Sequence, residues 1–236
     1  MGNRKLEDGT MCKKCAAKLS PWFSDRRNST IEEIKEQLAY REDNKKVVAD
    51  FHITRTLVND MKLLLDEDAQ KFIVTSARDL EEANPDVLDF SQVTGCKLDI
   101  EEDAREEMTE NKEGESVSYN PPRYTYHYDF HMTIHVNHPY FDEIEFKLNP
   151  YSVETNTGGA VPAMRKPNPR INQDYKEYEA MGREIEKVFT AARNQIRKAA
   201  AAAAAPKAAV TCPYCGATTT PDASGCYEYC GGAVNG

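Results

Sequence analysis

Between Tyr124 and Asn137 apolar and polar side chains alternate without a break. Tyr126, Tyr128, Phe130, Met132, Ile134 and Val136 fall on one face, and His127, Asp129, His131, Thr133 and His135 on the other. A period of two marks a strand with one buried and one wet face, so the chain must build an antiparallel sheet. The turn from His138 to Asp142 and the returning Ile144, Phe146 and Leu148 supply the next strand. Three histidines on one face invite a metal reading. Residues four apart on a strand, however, lie about 13 Å apart, too far to share one ion, so these read as a polar outer surface.

Further strands precede this one. Leu63-Leu64-Leu65 and Lys71 to Thr75 flank the turn-like Asp66-Glu67-Asp68, which predicts a hairpin with period two. Val87 to Phe90 and Val93 to Ile100 read as two more strands, with Cys96, Leu98 and Ile100 on one face and Cys96 a small core residue. Asp99 to Glu115 holds nine acidic and two basic residues and reads as a solvated loop. It lacks the residue order of a calcium loop.

Helices bracket the strands. Ser29 with Glu32, and Thr30 with Glu33, form overlapping capping boxes that open a helix, with Ile31, Ile34, Leu38, Val47, Val48 and Phe51 as its apolar face. The charges between them read as a solvated face, and Arg26 and Arg27 as surface ion-pairing residues. After a Pro/Gly linker from Gly158 to Pro169, a long helix begins near Asp174. Its stripe of Tyr178, Met181, Ile185, Val188, Ala192 and Ile196 suits packing on a sheet better than a free coiled coil. The alanines from Ala199 to Ala205 extend it as a helical spacer up to Pro206.

The formal charge of −9 argues against a polybasic membrane reader or a dedicated nucleic-acid binder, since both rely on a positive field. No apolar run is long enough for a membrane span, and the opening MGNRKLEDGTMCKKC has no apolar signal core. A cytoplasmic location follows as the expectation. In that reducing compartment cysteines are more often metal ligands than disulfides, and seven of them cannot all pair.

The closing stretch CPYCGATTTPDASGCYEYCGG has the spacing of a zinc site. Cys212-x-x-Cys215 and Cys226-x-x-x-Cys230, each followed by glycine, supply four thiolates for a tetrahedral ion. About twenty residues cannot build a core, so a metal staple is expected to hold them folded. Four cysteines close the coordination shell, which makes the zinc structural rather than catalytic.

Cys12-Lys-Lys-Cys15 is a second knuckle without a partner pair nearby. The stretch around it carries Asn3-Arg4-Lys5-Leu6, Asp8-Gly9, the knuckle, Leu19-Ser20-Pro21-Trp22-Phe23 and Arg26-Arg27. It resembles a bacterial family known as domain of unknown function 4428, as do the later NPDVLDFSQVTGC, YDFHMTIHVNHPYFDEIEFKLN and the closing CPYCGATTTPDASGC. The resemblance implies two zinc ribbons flanking a central domain. The first Cys-x-x-Cys of the family pattern is absent here, so Cys12 and Cys15 form a candidate half-site: it binds zinc weakly, through another chain, or not at all.

The segment DVLDFSQVTGCKLDI looks like the strand–turn–strand of bacterial PH-like domains. Antiparallel strands followed by one amphipathic helix is also the order of a PH-like or GRAM-like unit. The expected fold is therefore α+β: an antiparallel PH-like barrel or sandwich closed by a C-terminal amphipathic helix. The expected divisions are a partial zinc ribbon and helix over 1–58, a central domain over 60–198, a spacer over 199–210 and a zinc ribbon over 211–236. The expected function is a non-enzymatic, zinc-containing adaptor that binds another protein. The alternative is a nucleic-acid-associated zinc-ribbon protein, motivated by Lys13, Lys14, Lys18, Arg26 and Arg27. No nucleophile–base set or Gly-rich phosphate loop points to an enzyme.

Overall fold

The structure is a computed structural model that describes residues 4–58, 60–156, 166–204, 210–211 and 218–219. The chain divides into two compact units, Met1–Arg193 and Asn194–Gly236. Helix and sheet are mixed throughout, as an α+β chain requires.

The first unit opens on a two-stranded hairpin of β1 (Arg4–Lys5) and β2 (Thr10–Met11), followed by the single turn α1 (Lys13–Ala16). Next comes α2 (Ile31–Ala49). Its start is fixed by one capping box: Glu33 N–H donates to Thr30 Oγ1 at 3.3 Å, and Thr30 N–H to Glu33 Oε2 at 2.7 Å. The second predicted box does not form, because Ser29 donates its hydroxyl to the Asp25 carbonyl at 3.0 Å.

β3 (Arg55–Leu57), β4 (Lys62–Asp66), β5 (Lys71–Thr75) and β6 (Val87–Asp89) form an antiparallel sheet in that order, with the short α3 (Leu80–Ala83) between β5 and β6. Leu63, Leu64, Leu65, Phe72, Ile73 and Val74 are all buried, so the predicted alternation is absent from β4 and β5. Both faces are covered. Leu64, Ile73 and Val87 pack on Val48 of α2, while Phe72 on the other face meets a later helix.

β7 (Val93–Glu110) and β8 (Ser116–Val136) form a long hairpin paired from Val93↔Val136 out to Glu110↔Ser116. β9 (Glu143–Lys147) and β10 (Val153–Asn156) both pair with the opposite edge of β8, which leaves β7 outermost. Between β9 and β10, buried Asn149 bridges the ladder. Its side chain accepts from Phe130 N–H at 2.8 Å and donates to the Tyr128 carbonyl at 3.1 Å. The acidic segment is thus strand over most of its length, against the predicted loop. Alternation splits its carboxylates between two solvated faces, and their cross-strand partners on β8 include neutral or basic residues: Glu102↔Tyr128, Glu106↔Tyr124 and Glu107↔Arg123. Of the two predicted forms, barrel or sandwich, the barrel is corrected: both four-stranded sheets are open, and among the described residues neither joins its two edge strands.

α4 (Gln173–Ala204) follows a short 3-10 turn at Pro169–Ile171. Tyr175 meets Tyr128 and Phe130 edge-on at 5.0 and 5.1 Å on the β8 sheet, whereas Phe189 meets Phe72 and Phe90 at 4.9 and 5.8 Å on the β5–β6 side. The buried stripe runs Tyr175, Gly182, Ile185, Phe189 and Ala192. It shares Ile185 and Ala192 with the predicted stripe and departs from it at two turns, where Gly182 and Phe189 are buried in place of Met181 and Val188.

Gly182 is the point of closest approach. A Cβ there would lie 2.6 and 2.8 Å from the two Leu98 methyl carbons. We expect Gly182→Val to cost about 1–3 kcal/mol in urea unfolding through overpacking. Leu98→Ala introduced with it should return part of that loss, a coupling that two independent sites would not show.

In the second unit, β11 (Val210–Thr211) and β12 (Thr218–Thr219) pair antiparallel, and the Thr211 and Thr218 hydroxyls are 3.1 Å apart. Among the described residues no helix is long and apolar enough to cross a membrane.

Candidate metal centre and its mounting

The opening knuckle is shaped by backbone hydrogen bonds. Leu6 N–H donates to the Gly9 carbonyl at 2.9 Å and turns the β1–β2 hairpin, while Glu7 N–H donates to Ser29 O at 3.0 Å and ties it to the lead into α2. Leu6, Met11, Leu19 and Ile34 form a small core beneath it, with Cys15 and Phe23 packed against them. Cys12 caps α1, and its Sγ accepts the Cys15 N–H at 3.3 Å.

The two sulfurs are 3.3 Å apart. Two thiolates on a tetrahedral zinc are separated by ~3.8 Å, given a Zn–S bond of ~2.3 Å. A small rotation of either side chain reaches that spacing. The Cys15 N–H and then the Cys15 thiol proton hold the Cys12 pKa below its ordinary value. The Cys15 pKa moves up, first because its own proton is shared with Cys12 and then through repulsion by the Cys12 thiolate. The pair therefore offers one thiol that gives up its proton more easily than a free cysteine and a second whose proton a bound cation would displace. Among the described residues no third His, Cys, Asp or Glu joins them in a metal-binding group. Cys212, Cys215, Cys226 and Cys230 lie outside the described residues.

Other residues singled out in the sequence are not brought together. His127, His131 and His135 stand on the outer face of β8, each beside carboxylates of neighbouring strands. His127 is 3.4 Å from Glu154, His131 3.7 and 3.8 Å from Glu101 and Glu145, and His135 4.0 Å from Glu143. Cys96 is half-buried on the inner face, where burial and then the nearby Glu186 push its thiol pKa up to about 12.

The knuckle is mounted on the central sheet by a buried polar network that hydrophobic periodicity does not reveal. The inner face of α2 carries Ile34, Gln37, Arg41, Asn44 and Val48, so three polar residues occupy what sequence assigns to the solvated face. Arg41 pairs with Asp86 at 2.7 Å, with their side chains 6% and 0% exposed. Its guanidinium also donates to the carbonyls of Asn84 and, at 3.1 Å, of Lys18. Asp86 accepts the Ser20 hydroxyl at 2.7 Å, and Asn44 donates to Asn84 Oδ1 and the Pro85 carbonyl at 2.8 and 2.7 Å. Asn84 sits in the left-handed region at φ 47°, which asparagine tolerates, and ends α3 with its carbonyl turned to Arg41. Beside the network a cleft of about 480 Å³ opens between the knuckle segment and the sheet, lined by Leu19, Trp22, Arg41, Met61, Val74 and Pro85.

A second tie runs from α2 to the β8–β9 turn. His138 accepts the Tyr140 N–H on Nδ1 at 3.4 Å, so Nε2 carries the proton and faces Tyr40 Oη at 3.0 Å. Burial raises the Tyr40 pKa to about 12. Burial likewise lowers the His138 pKa, against an opposing pull from Asp86. The folded state then binds fewer protons at His138 than the unfolded state does. Stability should consequently fall as pH drops below the unfolded value of about 6.5 and through the lower folded one. Thermal melts of wild type and His138→Gln across that range should show a steeper acid loss in the wild type.

The model of the family described as a domain of unknown function, number 4428, matches residues 1–37. That stretch takes in the hairpin, the Cys12–Cys15 knuckle, Trp22 and the first turns of α2, and is what the chain shares with the family. No curated protein and no solved structure matches the chain.

Proposed function

We propose that this chain is a non-enzymatic, zinc-stapled adaptor that binds another protein. In this reading Cys212, Cys215, Cys226 and Cys230 hold a structural zinc, Cys12 and Cys15 offer a half-site, and the central domain is PH-like. The observation that carries it is the knuckle: two sulfurs at near-ligand spacing, pre-set by a backbone N–H and fixed to a folded body by a buried network. The succession of four strands, a hairpin with two further strands, and a long closing helix supports the PH-like assignment. Strands β11 and β12 stand on either side of the Cys212–Cys215 segment, where a ribbon would need them. The acidic β7 favours a protein over a nucleic acid as partner.

Elemental analysis should find about one zinc per chain, retained in Cys12→Ser/Cys15→Ser and lost in Cys215→Ser, whose tail should become protease-sensitive. Zinc-free protein with an unchanged tail would overturn the metal assignment. Partners captured from extract should resist nuclease; a capture dominated by nuclease-sensitive nucleic acid would move the reading to the alternative.

A further inference from the structure

The outer edge of β7 faces no other strand among the described residues, although the strand is 18 residues long. The direction of its backbone groups follows from its neighbours. Leu98 N–H points away from β8, since it donates to Glu186 Oε1 of α4 at 2.8 Å. Ile100 is opposite Phe130, whose N–H and carbonyl are both engaged on the far side of β8, by Asn149 and by Leu148 N–H. Strand alternation then turns the N–H and carbonyl of Ile100, Glu102, Ala104 and Glu106 toward the open edge, before the ladder shifts register after Glu107. Residues 101–106 are all exposed. This stretch offers roughly 20 Å of strand at ~3.3 Å per residue, unpaired on this side among the described residues.

We propose that this edge accepts an extended, basic segment of a partner protein as an added strand. The inference rests on the protein-binding reading above and names its surface and ligand class. Main-chain hydrogen bonds to the open edge would give affinity, and side-chain pairs would give selectivity. The selectivity is set by charge: residues 99–115 carry nine acidic and two basic side chains. A segment alternating lysine or arginine with β-branched residues complements them. A second copy of this chain does not, because pairing β7 with β7 would bring carboxylates face to face.

The test uses the full chain, with a fluorescent peptide alternating Lys and Val as the probe. Polarisation should rise saturably and weaken several-fold with added salt. An N-methylated version of the same peptide keeps the charge and loses the amide donors, and it should not bind. Ala104→Pro removes an edge-facing N–H without touching the β8 ladder, a substitution edge strands tolerate, and should weaken binding about tenfold. Equal binding of the N-methylated peptide would reduce the contact to charge alone and overturn strand addition. So would failure of the Lys/Val peptide to bind. Capture of a natural partner that is unaffected by Ala104→Pro and by Asp103→Lys/Glu106→Lys would overturn this edge as the surface while leaving the adaptor reading standing.

Discussion

Asp86→Ala should lower the unfolding free energy by about 3–5 kcal/mol, the usual loss when one partner of a buried ion pair is removed. The reason is the charge left behind. Arg41 is buried, and without Asp86 its guanidinium retains only carbonyl acceptors. Ser20, whose hydroxyl donates to Asp86, loses its acceptor at the same time. Replacing both partners with apolar residues, Arg41→Met with Asp86→Leu, should cost less than either single change, because no orphaned charge remains. Urea unfolding of the four proteins closes the cycle. A single-mutant loss below about 1 kcal/mol would show that water reaches the site.

Phe189→Ala should cost about 3–5 kcal/mol as well, by a different route. The ring is fully buried and packs edge-on against Phe72 and Phe90. Its removal leaves a cavity that the surrounding strands, held on their other face by α2, can fill only in part. Phe189→Leu keeps much of the volume and should lose roughly half as much. Val188→Ala, one residue away and half-buried, should have a much smaller effect, which separates the observed helix face from the predicted one.

What sequence conveys here depends on how a residue is covered. The alternation over 126–136 is legible because β8 has one buried and one wet face, so its pattern states its environment directly. β4 and β5 have helices on both faces, and their continuous apolar runs carry a strand signal without the side-to-side contrast. The acidic strand is hidden by its composition: carboxylates exposed on both sides of a two-stranded arm look like a loop until the partner strand is known. The knuckle is visible in cysteine spacing, since ligand chemistry is local. Its mounting is not. Arg41, Asn44 and Asp86 are 45 positions apart at the extremes and become a unit only when α2 crosses the α3–β6 corner.

The helix α4 touches one sheet through Tyr175 and the other through Phe189. A single rigid rod thereby serves as a shared wall, and neither sheet can part from it without uncovering the other. Opening of the first unit is expected to be all-or-none across both sheets rather than stepwise, while the outer reach of the β7–β8 hairpin, far from that wall, frays on its own. A partner that adds a strand along the β7 edge would carry cooperative order outward from that wall, so occupancy could be read as a gain of amide protection along β7.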